Sequence, residues 1–223
     1  MTWVKICGMT NLEDALTAVE AGADAVGFVF YEKSPRNIGV GAARAIVEKL
    51  PEGVEKVGVF VNEAPGRVSA IAEEVGLTAV QFHGDEHEKP EMYAIDRRAF
   101  LCIPAERVAV TWQKRGKAIG SLMAFPKNLA AIMLDSGNNG TRGGTGKPFD
   151  WREAKMFVSL MSKDTPVVIA GGLTSANVGE AMQILKPWGV DVVSGVEAKP
   201  GKKDPEKVRA FVKAVREIDR EMS

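Results

Sequence analysis

The sequence predicts an α/β protein built as a single (β/α)8 TIM barrel, and three observations support this prediction. Eight short apolar runs rich in β-branched residues alternate with amphipathic helical patterns along the whole chain. The runs are continuously apolar, as is typical of parallel strands covered by helices. The first run ends in Ile6-Cys7-Gly8 and lacks the glycine-rich dinucleotide turn of an open, doubly wound sheet. We therefore expect one barrel domain over residues 1–223.

The predicted elements follow in order. Between the strands, apolar residues recur at the spacing of a helix with one buried face, as at Leu12, Ala15, Leu16 and Val19. The regions 88–98 and 106–128 are weaker, which predicts a short fourth helix and a degenerate fifth helix. The predicted strands are Trp3–Cys7, Ala25–Phe30, Val57–Val61, Ala79–Phe82, Ala99–Ile103, Ala131–Leu134, Val167–Ala170 and Val190–Val193.

Two helix starts carry capping signals. Thr10 followed by Glu13 predicts a capping box for the first helix. Asp204 followed by Pro205 predicts an N-cap and first helical residue for the last helix.

Composition excludes several classes of function. The 29 Lys and Arg residues balance 29 Asp and Glu residues, so the chain has no net basic charge with which to bind nucleic acid. No apolar run approaches the roughly 20 residues that span a bilayer, and no secretory signal opens the sequence. We expect a cytoplasmic protein without membrane or nucleic-acid partners, in which both cysteines, Cys7 and Cys102, are free thiols.

Barrel enzymes place their chemistry where the strands end, and Cys7 ends the first predicted strand. Lys5 and Cys7 share one side of that strand, opposite Val4 and Ile6, so both are predicted to face the barrel interior. A buried cysteine is also explained by packing alone. A buried lysine needs a partner, and Asp191 on the closing strand is the candidate.

Further polar residues follow other strands. Asp135 ends the sixth strand, where it serves either as a loop cap or as a catalytic carboxyl group. Arg36 lies in the loop after the second strand and is either solvated or a clamp for a substrate carboxylate. His83 ends the fourth strand and is interpreted as part of the pocket wall, since no third ligand with sensible spacing indicates a metal site.

Three glycine-rich segments follow the last three strands. Glycine permits tight turns, but after the last two strands of a barrel such loops also form phosphate sites. The segments are Gly143-Gly144-Thr145-Gly146, Ala170-Gly171-Gly172-Leu173 and Ser194-Gly195-Val196-Glu197.

Taken together and in this order, these segments closely resemble the signature segments of the phosphoribosylanthranilate isomerase family. The resemblance spans essentially the whole chain. It departs from the family at Val193-Ser194-Gly195, where members often have two serines, and this departure bears on the strength of phosphate binding. The remaining matching segments are Lys5-Ile6-Cys7-Gly8-Met9-Thr10, Ser34-Pro35-Arg36, Gln81-Phe82-His83-Gly84, Leu134-Asp135-Ser136 and Phe149-Asp150-Trp151.

The resemblance implies an Amadori rearrangement in tryptophan biosynthesis, catalysed without a metal or organic cofactor by a monomer or homodimer. It implies that Asp135 is the general acid that opens the ribose ring and that Cys7 is the general base that removes the C2′ proton. Burial is expected to keep Asp135 protonated, whereas Cys7 needs a lowered pKa to act at neutral pH. Arg36 and His83 would contact the substrate, Gly144 would lie over it, and Gly171, Gly172, Ser194 and Gly195 would bind its phosphate.

Three alternatives stay open at this point. Two are other phosphosugar barrels, namely the related histidine-pathway isomerase and a pentose-phosphate epimerase. The first family has an aspartate in place of Cys7, and the second needs metal ligands that this chain lacks. The third is a barrel that binds a phosphorylated ligand without converting it. The joint presence of Cys7, Asp135 and Arg36 argues against this third alternative, and the isomerase is the favoured function.

Overall fold

The computed structural model describes residues 1–84, 95–106, 128–136, 148–163 and 165–222. Eight parallel strands close into a barrel in the order β1 to β8, with β8 pairing back onto β1. The predicted barrel is therefore confirmed. The strands are β1 Trp3–Cys7, β2 Ala25–Phe30, β3 Glu55–Val61, β4 Ala79–His83, β5 Arg98–Pro104, β6 Leu129–Asp135, β7 Val167–Ile169 and β8 Gly189–Val192.

Helices pack around the outside of this barrel. Within the described residues they are α1 Leu12–Glu20, α2 Val40–Val47, α3 Pro65–Val75, α4 Trp151–Met161, α5 Val178–Leu185 and α6 Pro205–Glu221. The predicted fourth and fifth helices fall mainly in residues 85–94 and 107–127, which lie outside the described residues. Among the helices that are described, none is long and apolar enough to cross a membrane.

The two capping predictions have different outcomes. Asp204 caps α6 as predicted, since its carboxylate accepts hydrogen bonds from the backbone N–H groups of Glu206 and Lys207. The capping box at Thr10 is wrong. Asn11 is the N-cap of α1 and accepts from the N–H of Asp14 at 2.9 Å, while the Thr10 hydroxyl donates to the carbonyl of Gly201. The Thr10 hydroxyl therefore binds a loop that is distant in the sequence instead of capping α1.

Side chains along β1 alternate between the outer core and the barrel interior, as the sequence predicts. Val4 and Ile6 are fully buried in the outer core, which contains the apolar faces of the helices. Cys7 lies inside the barrel against Val29 and Val59, which point inward from β2 and β3. This orientation aims Cys7 at the C-terminal rim, by which we mean the end of the barrel where β1 to β8 terminate.

A small hairpin follows β8 and crosses the rim near β1. It consists of a 3-10 turn at Ser194–Val196, strand β9 at Glu197–Lys199 and strand β10 at Lys202–Lys203. The N–H of Lys203 donates to the Asp14 carboxylate at 2.7 Å, and the Lys202 ammonium lies 2.7 Å from the other Asp14 oxygen. These bonds attach the hairpin to the first turn of α1, so its side chains have fixed positions at the rim.

Candidate active site

Cys7 is an enclosed polar side chain at the rim. It is 4% exposed, and burial raises the pKa of its thiol above the ordinary value, while the nearby Lys5 ammonium opposes that rise. The surroundings of Cys7 therefore do not provide the lowered pKa that the chemistry was expected to need. A thiol whose pKa is raised is neutral at pH 7.

Directly below Cys7, Lys5 and Asp191 form the buried pair that the sequence predicted. The Lys5 ammonium lies 2.8 Å from Asp191 Oδ1, and the lysine side chain is completely buried. Burial on its own would lower the pKa of Lys5, but the charge and hydrogen bond of Asp191 outweigh it, so the pKa is raised. Lys5 therefore stays cationic at every pH at which the protein functions.

Arg36 is held in place by Glu197, a residue that the sequence reasoning did not single out as a site residue. Its Nε and Nη2 groups donate to the two oxygens of Glu197 at 2.9 and 2.8 Å. Glu197 also lies 3.3 Å from the buried Lys203 ammonium. Burial opposes it, but the Arg36 hydrogen bonds and the Lys203 charge together hold the pKa of Glu197 below its usual value.

This pairing revises how Arg36 can bind a ligand. A guanidinium has five N–H donors in a planar fork, and Glu197 occupies the side formed by Nε and Nη2. The end formed by Nη1 and the second Nη2 hydrogen is the one that remains to clamp a carboxylate. The side chain is only 14% exposed, so a ligand must enter the rim to reach it.

Asp135 ends β6 and lies beside the loop that follows β7. It is half-buried, and a Cβ added at Gly171 would lie 2.6 Å from Asp135 Oδ1 and 2.5 Å from the backbone nitrogen of Ser136. Gly171 also has φ +82°, which L side chains rarely adopt. Glycine is required here because the loop passes in direct contact with the candidate acid.

His83 and Cys102 share this side of the rim with Asp135. A hydrogen bond joins the Gln81 amide to His83 Nε2 at 2.5 Å, which fixes the orientation of the ring. His83, Cys102 and Asp135 each offer one atom that could bind a metal ion, and these three atoms lie within 4.8 Å of one another. Within the described part of the chain, this is the one group of three such residues. Sequence analysis missed Cys102 because a cysteine inside a strand normally serves only in core packing.

The loops after β7 and β8 also meet at the rim. Gly171 and Gly172 both have positive φ, and the Asn177 side chain donates to the carbonyl of Gly172 at 3.0 Å. A Cβ at Gly195 would run into the carbonyl oxygen of Leu173. The structure thus brings Gly171, Gly172, Ser194 and Gly195 to one region, as a phosphate site requires. Gly144 lies in residues 137–147, outside the described residues.

The rim therefore combines a thiol, a carboxyl group and a fixed guanidinium with two glycine loops, at the end of the fold where barrel proteins carry out chemistry. This arrangement defines a (β/α)8-barrel enzyme. A family profile described as N-(5′phosphoribosyl)anthranilate (PRA) isomerase matches residues 4–214. The chain belongs to this family of isomerases.

Individual relatives agree along nearly the full length. The N-(5′-phosphoribosyl)anthranilate isomerase of Citrifermentans bemidjiense is 45% identical over 218 residues, covering 98% of each chain. A crystal structure of monomers generated from the dimeric phosphoribosylanthranilate isomerase of Thermotoga maritima is 37% identical, with a TM-score of 0.75, covering 97% of this chain and 100% of that one.

A further solved structure includes a ligand. It is a phosphoribosylanthranilate isomerase in complex with reduced 1-(o-carboxyphenylamino)-1-deoxyribulose 5-phosphate. It is 37% identical, with a TM-score of 0.76, and covers 97% of this chain and 100% of that chain.

Proposed function

We propose that the protein catalyses the Amadori rearrangement of N-(5-phosphoribosyl)anthranilate to 1-(2-carboxyphenylamino)-1-deoxyribulose 5-phosphate in tryptophan biosynthesis. The observation that carries the proposal is the placement of Cys7 and Asp135 at the ends of β1 and β6, facing one rim. Membership of the isomerase family and the ligand bound to a relative support the same substrate class. The joint presence of both residues favours conversion of the ligand over silent binding.

Asp135 is proposed as the general acid of the first step. Its carboxyl proton goes to the ribose ring oxygen, the C1′–O bond breaks, and the anthranilate nitrogen lone pair forms a cationic imine at C1′. The step requires Asp135 to be protonated when substrate binds. Contact with Gly171 holds the carboxyl group beside the loop proposed to bind the phosphate of the same sugar.

Cys7 is proposed as the general base of the second step. Its thiolate removes the C2′ proton, and the C–H electron pair forms the C1′=C2′ double bond of an enolamine. The cationic imine stabilises the thiolate in the enclosed site, which offsets the raised pKa of the free thiol. The Cys7 thiol then gives its proton to C1′ and the enol proton passes to the Asp135 carboxylate, which gives the ketone and returns both residues to their starting states.

The remaining residues are proposed to bind the substrate. Arg36, oriented by Glu197, clamps the anthranilate carboxylate, and His83 forms part of the pocket wall. Gly144 is proposed to lie over the substrate. The N–H groups of the two loops that contain Gly171, Gly172, Ser194 and Gly195 hold the phosphate. No step requires a metal or an organic cofactor.

If Glu197 orients Arg36, Glu197→Gln should raise KM about tenfold with a smaller change in kcat. Glutamine keeps one acceptor oxygen but places an N–H2 group against the guanidinium, and a charged hydrogen bond of this kind contributes about 1.5–3 kcal/mol. Steady-state kinetics measure both constants. Glu48→Gln is the matched control, because Glu48 pairs with Arg44 at the same 2.8 Å distance on the exposed helix surface. Equal KM values for the two variants would refute the role of Glu197.

The acid and base roles also predict the pH profile of kcat/KM. The reactive form has Asp135 protonated and Cys7 ionised. It binds the same number of protons as the form in which Asp135 is ionised and the Cys7 thiol, whose pKa burial raises, is neutral. Because the two forms have the same proton count, kcat/KM should be flat between the two pKa values. It should fall in acid as Cys7 loses its thiolate and in alkali as Asp135 loses its proton. A profile that rises tenfold per pH unit through neutrality would contradict this assignment.

The direct test of the proposed function follows the fluorescence of freshly generated phosphoribosylanthranilate after addition of the purified protein. Rapid loss of signal is the expected result, with the ketone verified by borohydride reduction of the product and co-elution with the reduced 1-(o-carboxyphenylamino)-1-deoxyribulose 5-phosphate standard. Binding of the product without turnover would instead support a silent phosphate-binding barrel.

Three further predictions accompany this proposal. We propose that the enzyme works in the cytoplasm, that it is a monomer or a homodimer, and that one domain spans residues 1–223. The dimeric relative from Thermotoga maritima supports the homodimer as one of the two assemblies.

A further inference from the structure

Lys5 and Asp191 are charged groups inside the barrel that the proposed reaction does not use. Lys5 is completely buried and Asp191 is 4% exposed. Replacement of such a pair by apolar residues is often neutral or stabilising, so burial of the pair is poorly explained by stability alone. A role in the chemistry just above it is the alternative.

The geometry connects Lys5 to the sulfur of Cys7. Both side chains leave β1 on the same side, and both pass over Gly27 of β2. A Cβ at Gly27 would lie 2.5 Å from Cys7 Sγ and 3.1 Å from Lys5 Cε, so the two side chains share the space that the glycine leaves open. The Lys5 charge opposes the rise that burial causes in the pKa of the Cys7 thiol.

Asp191 determines the orientation of this ammonium. Its carboxylate accepts the hydrogen bond of Lys5 at 2.8 Å from the β8 side, in the register that pairs Lys5 with Asp191 across the closing strands. The Lys5 charge lowers the pKa of the Cys7 thiol and the Asp191 charge raises it, and the effect of Lys5 is the larger one. The pair is neutral as a whole, but its Lys5 side chain is the one that shares the space over Gly27 with the sulfur.

Other titratable and charged groups also surround Cys7. The ones that interact with its thiol from neighbouring elements are Lys203 on β10, Arg36 after β2 and Cys102 on β5, in addition to Lys5 and Asp191. Among these, Lys5 has the largest interaction that favours the thiolate, and its side chain shares the space over Gly27 with the sulfur.

We propose that Lys5 is a positioning residue for the isomerisation: held by Asp191, its ammonium fixes the Cys7 sulfur at the rim and stabilises the thiolate that takes the substrate proton. The catalytic part of this inference rests on the proposed function. Lys5 does not itself donate or receive the proton, since Asp191 keeps it cationic. Its contribution is a permanent positive charge below the sulfur.

The test measures the Cys7 pKa in the ligand-free protein, where no substrate is involved. The parent is Cys102→Ala, which leaves Cys7 as the sole cysteine. The 13C chemical shift of its labelled Cβ is followed against pH. Lys5→Met should raise the pKa by at least about one unit, a tenfold loss of thiolate. Lys5→Arg should restore a lower value, since it returns the charge.

Lys5→Met leaves Asp191 buried without its partner, so the decisive variant is the double substitution Lys5→Met/Asp191→Leu. It has the same net charge as the parent and no lone buried ion. A raised Cys7 pKa in this variant is expected if the orientation of the pair matters. A pKa equal to that of the parent would overturn the proposal.

Kinetics separate the two parts of the inference. The plateau of kcat/KM should fall in the double variant by the same factor as the thiolate population, mainly through kcat. A shifted pKa with unchanged kcat would overturn the catalytic role of Lys5. If the protein failed to isomerise the substrate at all, the pKa shift would still be measurable, so failure of the proposed function is distinguishable from failure of this inference.

Discussion

Replacing Cys7 with alanine is expected to lower kcat about a thousandfold. The thiolate is the proposed base for the C2′ proton, and loss of a positioned general base typically costs between about 10² and 10⁴ in rate. KM should change little, because the sulfur contacts the proton that is removed rather than the groups that bind the substrate. The measurement is steady-state turnover of freshly generated phosphoribosylanthranilate.

Cys102→Ala is the matched control for this substitution. Both cysteines are 4% exposed and face the barrel interior, so each substitution removes one sulfur from a packed site. Both should lower the free energy of unfolding by about 1 kcal/mol, but Cys102→Ala should keep kcat within a few-fold of the parent. Equal losses of kcat in the two variants would assign the effect to packing and remove Cys7 as the base.

Asp135→Asn is expected to lower kcat by a similar factor, about 10² to 10³. The amide has nearly the same shape as the carboxyl group and preserves the packing against Gly171, but it has no acidic proton to give to the ribose oxygen. Ring opening should become rate-limiting. The variant should therefore bind the reduced product as tightly as the parent, which fluorescence titration measures, while turnover is lost.

Asp204→Asn is a control of the same chemical change in a different place. Asp204 caps α6, and asparagine is an equally good N-cap, so both stability and kcat should stay close to the parent values. If Asp135→Asn retained full turnover while folded, another group would have to protonate the ring oxygen. Weakened binding of the reduced product would indicate instead that Asp135 acts by holding the sugar.

The barrel itself was predictable because its signals are local. Continuous apolar strands and the 3.6-residue helical spacing depend on neighbours a few residues away, and the bounds of β1 and β2 match the predicted runs without change. The alternation within β1 also predicted correctly that Cys7 faces the interior and that Lys5 needs Asp191. The order of the motifs along the chain was enough to identify the family.

The partners of Arg36, Thr10 and Asp135 were not predictable, because they lie far away along the chain and no local pattern points to them. Glu197 lies 161 residues from Arg36 and meets it only because the hairpin after β8 folds over the start of the barrel. The same hairpin takes the Thr10 hydroxyl away from the predicted capping box. Cys102 meets His83 and Asp135 only because the C-terminal ends of β4, β5 and β6 converge.

The sequence by itself determined the class of fold, the direction in which Cys7 and Lys5 point and the chemical groups available at the rim, since all three follow from residue type and short-range periodicity. The tertiary structure alone decided the direction of their pKa shifts and the partners of Arg36, Thr10 and Asp135. Burial of Cys7 raises its pKa and Asp191 keeps Lys5 charged, because desolvation and Coulomb interactions depend on distances through space, which strand closure establishes and spacing along the chain does not.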